Sequence, residues 1–328
     1  IIPTYRPEKK LFELIEKLER QTVPIGRIIL MNTEEKYFDN LIYGTDFGER
    51  HKSVVVHHLS KREFDHGNTR NMGVAGSNSD LFVMMTQDAM PEGGELIEHL
   101  IRPLLEDKEV VVSYARQLPN RDCREIERFT RAFNYPEQSK VKSIRDLETM
   151  GIKTFFCSNV CAAYRRDYFM ESGGFIKHTI FNEDMIYAAN ALKNGKKIAY
   201  AADARVIHSH NYTAMQQLRR NFDLGVSQAD HPEIFAGVRS ESEGIRLIGQ
   251  TSRYLIKRHL PVQIPVLYVH SAFKFVGYQL GKRYKKLPER WIRHLTSNKD
   301  YWRQYQLKKD IAKIDATKGY GRNPEKEG

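Results

Sequence analysis

Four short runs constrain this chain more than anything else in it: Arg27–Met31 (RIILM), Ser53–His57 (SVVVH), Leu81–Thr86 (LFVMMT) and Glu109–Ala115 (EVVVSYA). Each is dense in Val, Ile, Leu or Met and bounded by polar residues, which reads as a buried strand. Helical patterns stand between them. Leu11, Leu14, Ile15 and Leu18 share a helix face after Pro7, and Leu96, Leu100, Leu104 and Leu105 do so between the last two runs. Ile1-Ile2 is read as the end of a further strand that begins upstream. Strands alternating with helices predict an α/β fold with a parallel sheet, whose ligands gather at the C-terminal strand ends.

After Asp122 the pattern is less regular. Phe155–Tyr164 is expected to be a strand, Glu183–Leu192 a helix closed by Asn194-Gly195, and Lys197–His208 two short strands around Ala202-Asp203. From Tyr212 onward helical periodicity dominates, and a boundary is expected near residue 240. Residues 253–328 hold 18 of the 52 Lys and Arg but only 6 of the 41 Asp and Glu. The basic excess thus sits in the tail and calls for an anionic surface. Nucleic acid is set aside, because the tail has no base-stacking module or recognition-helix motif. The cysteines, Cys123, Cys157 and Cys161, form no CxxC pair, so reduced thiols in a cytosolic protein are expected. No signal-peptide pattern is present. Val262–Leu280 is interrupted by Gln263, Pro265, His270 and Lys274 and does not read as a membrane span.

Several polar groups follow the strand runs. Thr86-Gln87-Asp88-Ala89-Met90-Pro91 puts a carboxylate at a strand end, where it either caps a loop or holds a divalent cation beside phosphates. Asn182-Glu183-Asp184 opens a helix; the two acids either satisfy the helix dipole or supply a general base and its neighbour. His208 and His210 end a strand, as structural imidazoles or as ligands for a metal or phosphate. His66-Gly67-Asn68-Thr69-Arg70-Asn71 is expected to offer free backbone N–H groups to an anion, with Arg70 as a charged fork. There is no GxxxxGK[ST] and no GxGxxG, which excludes a P-loop and a dinucleotide fingerprint.

Taken in order, the first strand Ile1-Ile2-Pro3-Thr4-Tyr5, the HGNTRN helix start, TQDAMP, the turn Gly173-Gly174-Phe175, then Asn182-Glu183-Asp184 and His208 resemble the family 2 glycosyltransferases over about residues 1–225. EFDHGNTRN, TQDAMP, SYARQLP, NYP, SNVCAAYRR and HSHNYT are similar to bacterial rhamnosyltransferases. The resemblance implies a GT-A fold, a Rossmann-like nucleotide-diphospho-sugar domain, over residues 1–240. Residues 1–120 would bind nucleotide and metal, residues 121–240 the acceptor, and residues 241–328 would form a basic, amphipathic helical region.

The resemblance also implies roles. The family's Asp-x-Asp reads Thr86-Gln87-Asp88 here, so Asp88 is its one carboxylate for a divalent cation, Mg²⁺ or Mn²⁺. His208, with His210 as fallback, joins it on the metal. Thr4, Tyr5, Arg6, Asn32, Arg70, Gln87 and Asp88 line the donor pocket. The base-reading turn becomes Met31-Asn32-Thr33-Glu34-Glu35. Asp184, beside Glu183, is the general base of an inverting single displacement. Arg116, Gln117, Ser158, Asn159, Gly173 and Gly174 serve the sugar or acceptor. The expected donor is dTDP-β-L-rhamnose, and the expected acceptor a glycan or polyprenyl-diphosphate-linked saccharide. The basic region would rest on the anionic inner face of the cell membrane, leaving the enzyme cytoplasmic and peripheral. A uridine-linked hexose donor is the alternative, as is a catalytically silent sugar- or nucleotide-binding module. A nucleotidyltransferase is disfavoured, because Arg6-Pro7-Glu8 gives no Gly-rich loop after the first strand.

Overall fold

The computed structural model describes residues 1–238 and 241–305. Among them the strands are β1 (Ile2–Tyr5), β2 (Ile28–Thr33), β3 (Val54–Leu59), β4 (Leu81–Met85), β5 (Met90–Pro91), β6 (Val110–Leu118), β7 (Lys140–Lys142), β8 (Cys161–Arg165) and β9 (Lys197–Ile207). β1, β2 and β3 pair in parallel. A mixed sheet runs β4–β8–β6–β9–β5, with β7 also on β9. The Ile1 nitrogen donates to the Val83 carbonyl (2.7 Å) and the Met85 N–H to the Ile1 carbonyl (3.1 Å), which joins the two sheets along β4.

Side chains alternate across the layer with period two. Cys161 and Ala163 enter a core shared with Leu11, Leu14 and Leu18 of helix Lys10–Glu19 and with Leu96, Leu100 and Leu104 of helix Leu96–Glu106. Ala162 and Tyr164 face the other way, onto Phe169, Phe175, Ile186 and Leu192. A sheet covered on both faces needs the nearly continuous apolar runs seen in the sequence, and the fold is the expected α/β arrangement followed by helices.

Two strand expectations are corrected. Phe155–Tyr164 is not one strand: pairing begins at Cys161, opposite Met85. The preceding carbonyls of Lys153 and Phe156 accept from the buried Lys142 ammonium (3.0 and 2.6 Å) instead of from a neighbouring strand. Lys197–His208 is one strand, not two. Ala115 pairs with Ala201 but Arg116 with Arg205, so the intervening residues bulge out at the expected break and redirect the strand end toward β5.

The C-terminal helices lie against the body. Helix Ile264–Lys282 packs on helix Ala214–Asp230 through glycines. A Cβ on Gly277 would fall 2.2 Å from the Leu218 carbonyl oxygen, and one on Gly281 2.1 Å from that of Phe222, so the two backbones touch. Helix Glu241–Lys257 packs on helix Glu125–Asn134. Asp223 accepts from Thr296 Oγ1 (2.6 Å) and the Ser297 N–H (2.8 Å), which ties down the segment after helix Glu289–Leu295. The remaining basic stretch, 306–328, lies outside the described residues. No helix among the described residues is long and apolar enough to cross a membrane.

Candidate active site

The pairing of Met90 with Ile207 carries the loop after β4 to the end of β9. It brings Asp88 to both histidines. Asp88 Oδ2 lies 3.5 Å from His208 Nε2 and 3.2 Å from His210 Nε2, and the two imidazole nitrogens are 3.1 Å apart. His208 is held by its backbone N–H on the Leu118 carbonyl (2.8 Å), and Ser209 by Asn120 (2.9 Å). His210 stacks on Tyr212, with ring centroids 5.0 Å apart.

The tautomer of His208 follows from its neighbours. Gln117 Nε2 donates to Ser158 Oγ (3.0 Å), and Gln117 Oε1 accepts from Arg131. The His208 Nδ1 that faces the same Oε1 at 3.0 Å must therefore donate, which leaves a lone pair on Nε2 turned to Asp88 and His210. One carboxylate oxygen and two imidazole nitrogens so converged suit a divalent cation. Their separations approach the ~3 Å between adjacent corners of an octahedron with ligands about 2.1 Å from its centre. Burial pulls the His208 pKa down, and its neutral form is the ligating one. Burial opposes the charge of Asp88, but hydrogen bonds from His210 and Thr86 hold its pKa well below the ordinary range.

The same frame reaches the two acids. Next to Ser158, the Asn159 N–H donates to Asp184 Oδ2 (2.9 Å) and its amide to Glu183 Oε1 (3.2 Å), while Tyr164 OH donates to its side-chain oxygen (2.6 Å). Met185 N–H donates to Asp184 Oδ1 (2.8 Å). Glu183 is buried and paired with Arg70 (3.2 Å), and although burial works against its charge, the guanidinium keeps its pKa low. Among the described residues Asp184 forms no ion pair. Burial, and then the charge of Glu183, push its pKa up. Two adjacent carboxyls are thus driven apart in acidity, Glu183 downward and Asp184 upward.

At the other edge, Gln87 exchanges two hydrogen bonds with the backbone of Tyr5 (3.1 and 3.0 Å), locking the loop after β4 to that after β1. Arg6 donates to Tyr37 OH (3.1 Å), and Lys61 lies over the Tyr5 ring. Thr4 and Asn32 are buried; Thr4 Oγ1 donates to Asn32 Oδ1 (3.1 Å), and the Asn32 amide faces His58 (3.0 Å). They form the floor below Tyr5 and not an open wall.

The HGNTRN expectation is corrected. Asp65 already caps this helix by accepting from the Asn68 N–H (2.7 Å), and a Cβ on Gly67 would lie 1.8 Å from the Ile176 carbonyl oxygen, so no anion fits there. Arg70 is turned to Glu183 and the His66 carbonyl (2.8 Å), away from the donor pocket expected for it. Asn71 instead clamps the GGF turn, donating to the Phe175 carbonyl (2.8 Å) and accepting its N–H (2.9 Å). Gly173 and Gly174 have φ of 82° and 72°, so their part is to make that turn. Arg116 pairs with Glu137 (3.1 Å), whereas the polar atoms of Gln117, Ser158 and Asn159 are spent on one another and on the histidine and acids. Arg131 escaped sequence reading, because beside Glu127 it looks like an ordinary i,i+4 helix pair.

The glycosyl transferase family 2 profile matches residues 1–173. The chain is 36% identical over 317 residues to the O-antigen chain rhamnosyltransferase RfbN of Salmonella typhimurium strain LT2, covering 95% of this chain and 98% of that protein. It is 37% identical over 318 residues to the O-antigen chain rhamnosyltransferase WbaN of Salmonella anatum, with the same shares. Among solved structures, the mannosyltransferase PcManGT of Pyrobaculum calidifontis, in complex with GDP-Man and Mn²⁺, superposes with a TM-score of 0.54 at 12% identity, over 94% of this chain and 85% of that one, a likeness of fold. With its expected acids and histidines converging at the strand ends and the family's profile over its first half, the chain belongs to the family 2 glycosyl transferases.

Proposed function

We propose that this glycosyltransferase moves L-rhamnose from dTDP-β-L-rhamnose to a hydroxyl of a lipid-linked or cell-surface polysaccharide acceptor, with inversion. The relatives' names support the sugar, at 36–37% identity over nearly the whole chain. The observation that carries the chemistry is the hydrogen-bonded frame His208–Gln117–Ser158, continued by Asn159 to Asp184. It sets a carboxyl of raised pKa and a cation-ready cluster on one support.

In this reading Asp184 accepts the proton of the attacking hydroxyl, and the glycosidic bond forms on the face opposite the leaving nucleoside diphosphate. Glu183, held ionised by Arg70, keeps Asp184 basic through its charge. Asp88, His208 and His210 would hold the cation, and their two imidazoles favour Mn²⁺ over Mg²⁺; when bound it supplies positive charge to the departing diphosphate. Tyr5, Arg6 and Gln87 line the donor side, and the Asn71-clamped GGF turn borders the acceptor side.

We propose further that helix Ile264–Lys282 lies on an anionic membrane. Val266, Val269, Phe275 and Val276 are exposed on it, Val262 is exposed just before it, and Lys282 at its end is followed by Arg283, Lys285 and Lys286. The test of the transfer reading is a panel of nucleotide sugars with nucleoside diphosphate release as readout. Fastest turnover of dTDP-rhamnose supports it. A faster uridine-linked hexose replaces the donor, and no turnover of any donor leaves a silent binding module.

A further inference from the structure

A groove of about 870 Å³ separates the catalytic body from the C-terminal helices. Its walls are mostly apolar, with Phe156, Phe181, Met185, Leu224, Ile248 and Leu267 among them; of the charged residues that also line it, Lys153 is paired with Glu243 and Glu127 with Arg131, and Arg124 completes the set with Lys274. One end is bounded by Asn182, His210 and Tyr212, so it opens beside the cation cluster and the start of the Glu183–Lys193 helix. Near its other edge Val266, Tyr268 and Phe275 line it and are also exposed, on the side proposed to meet lipid.

Lys274 interrupts this apolar lining. It is the one Lys or Arg between Arg258 and Lys282, yet it turns into the groove and forms no ion pair among the described residues. Burial lowers its pKa. Glu127, the nearby acid, is taken by Arg131 (2.7 Å), the residue that holds Gln117 against His208. An uncompensated cation in an apolar trough costs stability unless an anion joins it.

We infer that the groove seats the carrier of the acceptor, an isoprenoid chain along the apolar walls with its diphosphate at Lys274. This rests on the proposal of a lipid-linked acceptor. The chain would enter from the bilayer beneath helix Ile264–Lys282 and present its first sugars to Asp184. An apolar chain of many isoprene units needs a long dry wall, and its diphosphate needs a cation outside the donor site; the groove offers both.

The test is calorimetric titration of the full chain, saturated with dTDP, with farnesyl diphosphate, inorganic diphosphate and dodecylphosphocholine. Farnesyl diphosphate is expected to bind at least about tenfold more tightly than either of the others. Ser271→Trp, which fills the groove, should weaken it by about tenfold or more, and Lys274→Gln similarly, while inorganic diphosphate loses affinity only in Lys274→Gln. Should Ser271→Trp fail to fold, as judged by melting, Lys274→Gln and the ligand ranking decide. Equal affinity for inorganic and farnesyl diphosphate, equal binding of dodecylphosphocholine, or wild-type affinity in a folded Ser271→Trp each overturns the assignment. Donor turnover by wild type is scored separately. Turnover without farnesyl diphosphate binding sinks the groove alone, and binding without turnover sinks the transfer reading alone.

Discussion

His208 Nδ1 lies 3.0 Å from Gln117 Oε1, the same oxygen that accepts from Arg131. That contact fixes which imidazole nitrogen stays bare, and such supporting bonds commonly change metal affinity by about 10–100-fold. Gln117→Leu is accordingly expected to weaken Mn²⁺ binding by about tenfold or more, read by electron paramagnetic resonance of free Mn²⁺ on protein shown by circular dichroism to be folded. Unchanged affinity would show that His208 needs no support.

Asp184→Asn keeps the shape of the side chain and removes its basicity. Transfer should drop by about 10²-fold or more while donor affinity measured by titration survives. Near-normal turnover would move the base elsewhere.

Glu183→Gln leaves Arg70 buried opposite a neutral amide. Breaking such a buried pair from one side costs about 3–5 kcal/mol, so the expected result is a marked fall in melting temperature, unlike Asp184→Asn. A melting temperature equal to wild type contradicts the buried pairing.

The pH profile has a definite sign. A base must be ionised to act, and burial with the neighbouring charge of Glu183 raises Asp184 to about 7. kcat should therefore rise with pH through the neutral range and level off above it, and Asp184→Asn should lose that rise. A flat profile from pH 5 to 8 in the wild type contradicts the assignment.

Docking is checked by vesicle sedimentation. The protein should pellet with vesicles containing phosphatidylglycerol, less as salt rises, and Val269→Glu with Val276→Glu should release it. Equal recovery in the supernatant with and without anionic lipid leaves helix Ile264–Lys282 as a packing element only.

Much of the fold was legible because burial on both faces writes itself into sequence. The runs RIILM, SVVVH, LFVMMT and EVVVSYA became β2, β3, β4 and β6 with small shifts at the ends. Asp88, His208, His210, Glu183 and Asp184 were legible as residues at strand ends or a helix start, and they do converge in two linked groups. Their supports were not. Gln117 meets His208 across 91 positions and Arg131 across 14, and no local pattern announces such contacts. HGNTRN misled because Gly67 and Arg70 fit a phosphate-binding helix start on local grounds alone; the Ile176 carbonyl against Gly67 decides otherwise. In helix Ile264–Lys282, apolar residues surround most of the axis, so periodicity could not tell its glycine seam from its outer face.

Backbone contact at Gly277 and Gly281 leaves no side-chain cushion between that helix and the one beneath it, and a joint of this kind does not swing. Any surface that accepts the outer face therefore sets both the height and the tilt at which Asp184 works. With the proposed docking, reach would become a built-in ruler: hydroxyls that a carrier presents at that height would be in range, and those on a longer or shorter stem out of it.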